Sequence, residues 1–267
     1  MIDYPRGIHI ETTGRCNARC QYCPHGISSR RNMDMSDELF NKIVGELKVL
    51  PVYIAVSMMK LGEPFLDHKI CDRLLAVDQL NNVGIEIHTN LSILTPKILK
   101  TLTQLKRLHQ IWVSLNWMDE KTYHEQMGLN FKNTITNVNR LLNSGLVSKV
   151  VIGRVQNSGK YDPEWNNWVT KTFPQIKLIS ALHQGSWCGH VEAESILAQQ
   201  LVCKRLWEIS VCCDGKVALC CMDGLCEYEL GDINTQTLLE VFNSDKAKKY
   251  RMTPRGQIVP CKNCTFE

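Results

Sequence analysis

The sequence predicts an α/β protein: a partial (β/α)6 barrel of parallel strands, followed by a small cysteine-rich α+β module. Three observations predict it. Short strand-like runs alternate strictly with amphipathic helical runs from residue 7 to about residue 182, the pattern of parallel strands joined by right-handed crossovers. The alternation stops near Ser186. Nine of the thirteen cysteines then fall between Cys188 and Cys264. The expected division is 1–185 for the barrel and 186–267 for the module.

Each element has its own signal. "GIHIET" (7–12) alternates apolar and polar residues and reads as a strand. "MSDELFNKIVGELKVL" has helical spacing with Ser36 as N-cap. "VYIAVSM" is a buried-strand pattern, and the loop "KLGEPFLD" follows it. "HKICDRLLAVDQL" is an amphipathic helix, "VGIEIHT" a strand, and "PKILKTLTQL" a helix with Pro96 in its first turn. "QIWVSLN" is a strand, and "FKNTITNVNRLLNSG" a helix ending at Gly145. "SKVVIGRVQ", "PEWNNWVTKTF" and "QIKLISAL" read as strand, helix and strand. Six such units suit an open barrel rather than a closed eight-fold one. Beyond residue 186, "LWEISVCCDGKVALCCMDG" gives two short strands around an Asp214-Gly215 turn, and "TLLEVFNSDKAKKY" gives a helix. This module has little apolar core of its own, so bound metal would supply much of its stability.

Composition narrows the class. Charged residues make up 22% and the net charge is only +4, spread along the chain, so no nucleic-acid partner is expected. "MIDYPRGIHIETT" lacks an apolar signal region, and no apolar run is long enough to span a bilayer. A cytoplasmic protein without membrane contact is the expectation. In that compartment thirteen cysteines point to metal ligation or redox chemistry rather than to disulfides.

In parallel α/β sheets, chemistry collects at the carboxyl ends of the strands. The cysteine loop, Glu63, Thr89-Asn90, Asn116 and Gln156-Asn157 all fall at such ends. "GRCNARCQYCPHG" places Cys16, Cys20 and Cys23 within eight residues. Structural zinc wants four ligands, and His25 does not stand at zinc-finger spacing. A [4Fe–4S] cluster normally takes four cysteines, so three would leave one iron open. "ETTGRCNARCQYCPH" resembles the radical S-adenosylmethionine (SAM) signature C-x3-C-x-Φ-C, with Tyr22 as the aromatic residue. The resemblance implies that SAM chelates the open iron and splits to a 5′-deoxyadenosyl radical, which abstracts hydrogen from a substrate.

Other rim segments are similar to that family's motifs. In "KLGEPFLD", Glu63 is expected to hydrogen-bond the SAM amino group; Leu61 replaces the usual first glycine. "IHTNLS" resembles T-N-G, with Asn90 in place and Leu91 for the glycine. "VSLNWMDEKTYHEQMG" resembles another family segment, which implies Ser114 near the SAM ribose or carboxylate; Asn116 replaces the usual aspartate and Met127 the usual arginine. Arg154 is expected to bind the SAM carboxylate or touch substrate, as base or binding group. His88, His124 and His183 read as structural, Cys71 as a small buried residue, and Trp117 and Trp187 as loop residues.

Cys203, Gly215 and Cys220 fit C-x(9–15)-G-x4-C, the opening of the SPASM and twitch domains appended to radical SAM enzymes. The terminal "PCKNC" agrees. The resemblance implies one auxiliary [4Fe–4S] cluster on Cys203, Cys220, Cys261 and Cys264. Cys221 competes with Cys220 for the second place, and zinc on the four remains an alternative. Cys212, Cys213, Cys221 and Cys226 are then surplus thiols. Four cysteines would saturate the cluster, which suits an electron-accepting or structural role.

Two reactions stay open. One is oxidation of an alcohol carbon of a small polar molecule such as a sugar, aminocyclitol or nucleotide derivative, resembling the aminocyclitol dehydrogenases of the family. The other is epimerisation with a cysteine as hydrogen-atom donor. A peptide substrate, and an iron–sulfur scaffold without catalysis, are further alternatives. A flavodoxin or ferredoxin is the expected electron donor.

Overall fold

The computed structural model describes residues 2–156, 162–193, 202–262 and 264. Asn157, expected at a strand end, lies outside them. Six strands form the barrel in chain order: β1 (Gly7–Ile10), β2 (Ile54–Met58), β3 (Val83–Thr89), β4 (Leu108–Ser114), β5 (Val150–Gln156) and β6 (Leu178–His183). All neighbours pair in parallel, with Ile8 beside Val56 and Ser57 beside Glu86. The crossovers carry α1 (Asp37–Lys48), α2 (Ile70–Asp78), α3 (Pro96–Gln104), α4 (Glu120–Met127), α5 (Phe131–Leu141) and α6 (Pro163–Thr172).

Local chemistry explains these boundaries. Ser36 accepts the Leu39 N–H and starts α1, and Thr95 does the same for α3 ahead of Pro96. Gly145 is left-handed at φ 88° and ends the turn that follows α5. The apolar strand residues face the helices: Ile8, Val56, Ile85 and Ile111 are fully buried, as are Ile43 and Leu47 of α1. Each such side chain contributes about 1.5–3 kcal/mol by leaving water. Alternate strand residues face the barrel interior, and several of them are polar or aromatic. His88 stacks on Trp112 at 5.9 Å, and Ser57 Oγ donates to Glu86 at 2.8 Å. A Cβ at position 153 would lie 2.0 Å from the Trp112 ring, so any larger residue there would displace that ring.

The module adds β7 (Glu208–Val211), β8 (Lys216–Ala218), β9 (Gly231–Asp232), α7 (Leu238–Phe242) and α8 (Asp245–Met252). The expected hairpin is β7–β8, closed by Gly215 at φ 94°. The structure adds what local patterning does not carry. β7 pairs in parallel with β1, so the sheet runs unbroken in the order β6-β5-β4-β3-β2-β1-β7-β8-β9. The single helix expected over "TLLEVFNSDKAKKY" is two. Ser244 turns out of helical geometry and caps α8 by accepting the Ala247 N–H.

A buried ion pair fastens the module to the barrel. Arg30 Nε donates to Glu11 at 2.9 Å, and its other nitrogens donate to the Gly224 and Leu225 carbonyls. Glu11 also accepts the Cys213 and Leu61 N–H groups. Both charges are therefore paired and hydrogen-bonded, as burial demands. Among the described residues no helix is long and apolar enough to cross a membrane.

Candidate active site

The cysteine loop leaves the carboxyl end of β1 and is tied to three other loops. Glu63 N–H donates to the Arg15 carbonyl at 2.8 Å, and the Arg19 N–H donates to the Met127 carbonyl at 2.7 Å. Asn90 Nδ2 donates to Asn17 Oδ1 at 3.1 Å. Gly62 packs so close that a Cβ would lie 1.8 Å from the Thr13 carbonyl oxygen. These ties bring Cys16, Cys20, Cys23, Tyr22, Glu63, Asn90 and Ser114 to the wall of one cavity of about 240 Å³.

Glu63 is the most constrained of them. Its carboxylate accepts from Thr89 Oγ1 at 2.6 Å, the Asn90 N–H at 2.7 Å and the Phe65 N–H at 3.2 Å. A carboxylate has about four acceptor positions, so one remains for a ligand. Burial raises its pKa to about 7, with the Thr89, Asn90 and Phe65 donors opposing that rise. Leu91, where the family motif has glycine, takes a left-handed φ of 52° and is fully buried.

Asn116 stands one layer behind the wall. It donates to Tyr22 Oη and accepts the Val155 N–H at 2.6 Å. It thus positions Tyr22, whose ring stacks on Trp117 at 5.7 Å. Arg154 does not line the cysteine cavity. It faces an adjoining cavity of about 370 Å³ that shares Tyr22 and Val155, and there it pairs with Asp162 at 2.5 Å. Trp187, a loop aromatic by sequence, joins the wall of the cysteine cavity. Its indole donates to the Tyr22 carbonyl at 3.0 Å, inside the cysteine loop. His88 and Cys221 also reach the wall. For Cys221, adjacency to Cys220 on a chain that alternates faces was the available signal.

The donor sets fit iron–sulfur clusters. Three thiols of one loop line one cavity, beside a carboxylate with a spare acceptor position. Burial holds the metal-free Cys23 thiol up at about 12, and the Cys16 and Cys20 thiols are raised for the same reason. Metal binding would displace those protons. In the module, Cys203, Cys220, Cys261 and Cys264 pack around one small apolar cluster with Leu206, Leu219 and Ile258. The geometry thus groups Cys220, rather than Cys221, with the other three.

An open parallel barrel with three rim thiols and a second set of four defines an iron–sulfur enzyme. The chain belongs to the radical SAM superfamily, whose family model matches residues 10–157. Residues 203–265 match SPASM, an iron–sulfur cluster-binding domain. Its cofactors are therefore SAM, a [4Fe–4S] cluster and auxiliary iron–sulfur ligation. Among named proteins it is similar to the S-adenosyl-L-methionine-dependent 2-deoxy-scyllo-inosamine dehydrogenase of Niallia circulans, 31% identical over 37% of this chain and 40% of that one. It is also 27% identical to GTP 3′,8-cyclase of Clostridium acetobutylicum over 76% of this chain and 64% of that one. Both matches thus span less than two thirds of the relatives' lengths. Among solved structures it resembles BtrN in complex with AdoMet and 2-DOIA, with a TM-score of 0.68, 20% identity, and coverage of 99% of this chain and 94% of that one. It also resembles Streptococcus suis SuiB bound to precursor peptide SuiA, with a TM-score of 0.73 at 16% identity over 98% of this chain and 70% of that one. At these identities the structural likeness speaks for the fold.

Proposed function

We propose that this protein is a cytoplasmic radical SAM dehydrogenase that oxidises a hydroxyl-bearing carbon of a small polar molecule of the aminocyclitol or sugar type. In this reading residues 1–185 carry SAM chemistry and residues 186–267 hold one auxiliary cluster. The observation that carries it is the packing of Cys203, Cys220, Cys261 and Cys264 around one apolar cluster, in a module whose strands continue the sheet directly from β1. Four thiols leave no open iron for substrate, which suits taking up an electron. When bound, the clusters and SAM supply a 5′-deoxyadenosyl radical and an acceptor for the second electron.

The chain's own residues bind and orient. Cys16, Cys20 and Cys23 hold the first cluster, and Glu63 takes the SAM amino group on its free acceptor position. Asn90 and Ser114 contact SAM from the ends of β3 and β4, and Asn116 fixes Tyr22 against it. The adjoining cavity, with Gln21, Gln126, Gln184 and Arg154 on its wall, offers amides and a cation to a polyol. Arginine does not deprotonate in proteins, so Arg154 serves by donating to a substrate oxygen, steadied by Asp162, and the hydroxyl proton leaves to solvent through the open cavity. A flavodoxin or ferredoxin supplies the first electron.

The test uses anaerobically reconstituted protein with SAM and reductant in D2O. The substrates are 2-deoxy-scyllo-inosamine, which the dehydrogenase relative's name gives, and related aminocyclitols. The expected product is two mass units lighter. A product of unchanged constitution carrying one solvent deuterium would show epimerisation and overturn the reading, as would turnover of peptides alone.

A further inference from the structure

Beneath the SAM cavity, the interior face of β1 meets β7 and the turn after β8. His9 of β1 is 6% exposed, and its Nε2 lies 2.8 Å from Glu208 Oε2. Cys221 is 5% exposed. One ligand atom from each of His9, Glu208 and Cys221 lies within 4.8 Å of the other two. We propose that these three residues form a mononuclear site for a zinc-type divalent cation, separate from both cysteine sets. The inference does not depend on which reaction the enzyme catalyses.

Four observations support it. The first is the donor chemistry: one imidazole, one carboxylate and one thiolate make the mixed nitrogen, oxygen and sulfur set that zinc takes. The second is an orphan atom. His9 Nδ1 is buried without a hydrogen-bond partner among the described residues, so one nitrogen of this buried ring is unused by the protein. The third is spacing. Ligand atoms around tetrahedral zinc are about 3.5 Å apart, so the three side chains need to move by only about 1 Å. The fourth is the surroundings. Arg205 donates to Glu208 at 3.1 Å and orients the carboxylate, as outer partners of metal ligands do.

The charged neighbours act in both directions. Burial raises the Cys221 thiol, and Arg205 and Lys60 oppose that rise while Glu208 adds to it; the two cations also repel a bound metal ion, whereas Glu208 attracts one. Binding replaces the thiol proton, which leaves to solvent, and makes a metal–sulfur bond with no change of oxidation state. Three protein ligands leave a fourth position. Cys221 is also part of the SAM cavity wall. The class of ligand this site would take at that position is therefore a water, or a hydroxyl or amine of a molecule bound in the cavity.

The test loads both iron–sulfur sites anaerobically, adds one equivalent of zinc chloride, desalts, and reads metal content and zinc-edge X-ray absorption. The expected result is about one zinc per chain with one sulfur at about 2.3 Å and nitrogen or oxygen at about 2.0–2.2 Å. Cys221→Ser should remove the sulfur shell. Glu208→Gln should weaken zinc binding by more than about tenfold, the scale seen when partners of metal ligands are lost. Zinc lost on desalting, a shell of three or four sulfurs, or retention unchanged in Cys221→Ser would each overturn the proposal. The absorption spectrum of the parent protein decides even if a variant does not fold.

Discussion

Replacing Glu63 with glutamine removes one charge while keeping the side chain's size. The carboxylate accepts three hydrogen bonds, two of them from backbone N–H groups. Glutamine retains an oxygen for the Asn90 N–H, and its amide can donate to Thr89 Oγ1, which already accepts from the Leu91 N–H. The Phe65 N–H then loses its acceptor, and the folding cost should be about 1 kcal/mol. On the proposed role of Glu63, the larger effect falls on SAM. A hydrogen bond to a charged group contributes about 1.5–3 kcal/mol, so SAM affinity should fall by roughly 12- to 160-fold. The assay is equilibrium binding of SAM to anaerobically reconstituted protein.

The same substitution tests the pKa. Glu63 titrates at about 7 in the folded chain against 4.5 ordinarily. Its folded pKa is raised, so the folded state binds the extra proton, and stability present below pH 4.5 is lost as pH rises through 7. The full difference amounts to about 3 kcal/mol. Glu63→Gln should therefore flatten the loss of denaturation free energy between those limits. For SAM binding the proposed role of Glu63 reverses the sign, because an ammonium pairs with the ionised carboxylate. From pH 8 to pH 6 the parent's advantage over Glu63→Gln should shrink by about tenfold, since the ionised fraction falls from about nine tenths to one tenth. Taking the ratio cancels the titration of SAM itself. Equal affinities of parent and variant at pH 8, within about threefold, would refute the role given to Glu63.

Three further substitutions probe the frame. Gly62→Ala should drive the Glu63 loop off the Thr13 carbonyl and lower iron incorporation at the three-cysteine site, read as iron content in protein whose auxiliary cysteines are intact; unchanged iron would contradict the close packing. Leu91→Gly relieves a left-handed residue, about 1–2 kcal/mol, but deletes a fully buried side chain, about 2–5 kcal/mol. A net loss of about 1–3 kcal/mol is expected by chemical denaturation, and stabilisation would contradict it. Arg30→Met strands the Glu11 carboxylate and should cost about 3–5 kcal/mol in the same assay; a neutral result would mean that the pair does not fasten the module to the barrel.

Much of this architecture is local and could be read from the chain. The strand–helix alternation, the Ser36 cap and the Gly215 turn all report through neighbouring residues, and so does the convergence of Cys16, Glu63 and Asn90 at strand ends. What escaped reading depends on contacts across long sequence separations. The parallel pairing of β1 with β7 joins Ile8 to Ile209, and nothing in either strand announces its partner. Helix α4 carries little amphipathic signal, because only Tyr123 and Met127 of its eight residues are buried. Asn116 sits behind Tyr22 rather than on the cavity wall, because its amide bridges Tyr22 and the Val155 N–H. Arg154 turns to the adjoining cavity because Asp162 holds it there. Trp187 joins the wall through a bond to the Tyr22 carbonyl, which no spacing rule foretells.

The proposed role of Cys16, Cys20 and Cys23, holding the cluster at which SAM is cleaved, is tested most directly by SAM cleavage itself. Reconstituted protein should release 5′-deoxyadenosine and methionine from SAM under strong reductant without oxygen, and Cys20→Ala should release none. Absence of 5′-deoxyadenosine from protein shown to carry its cluster, with reductant present, would contradict the account.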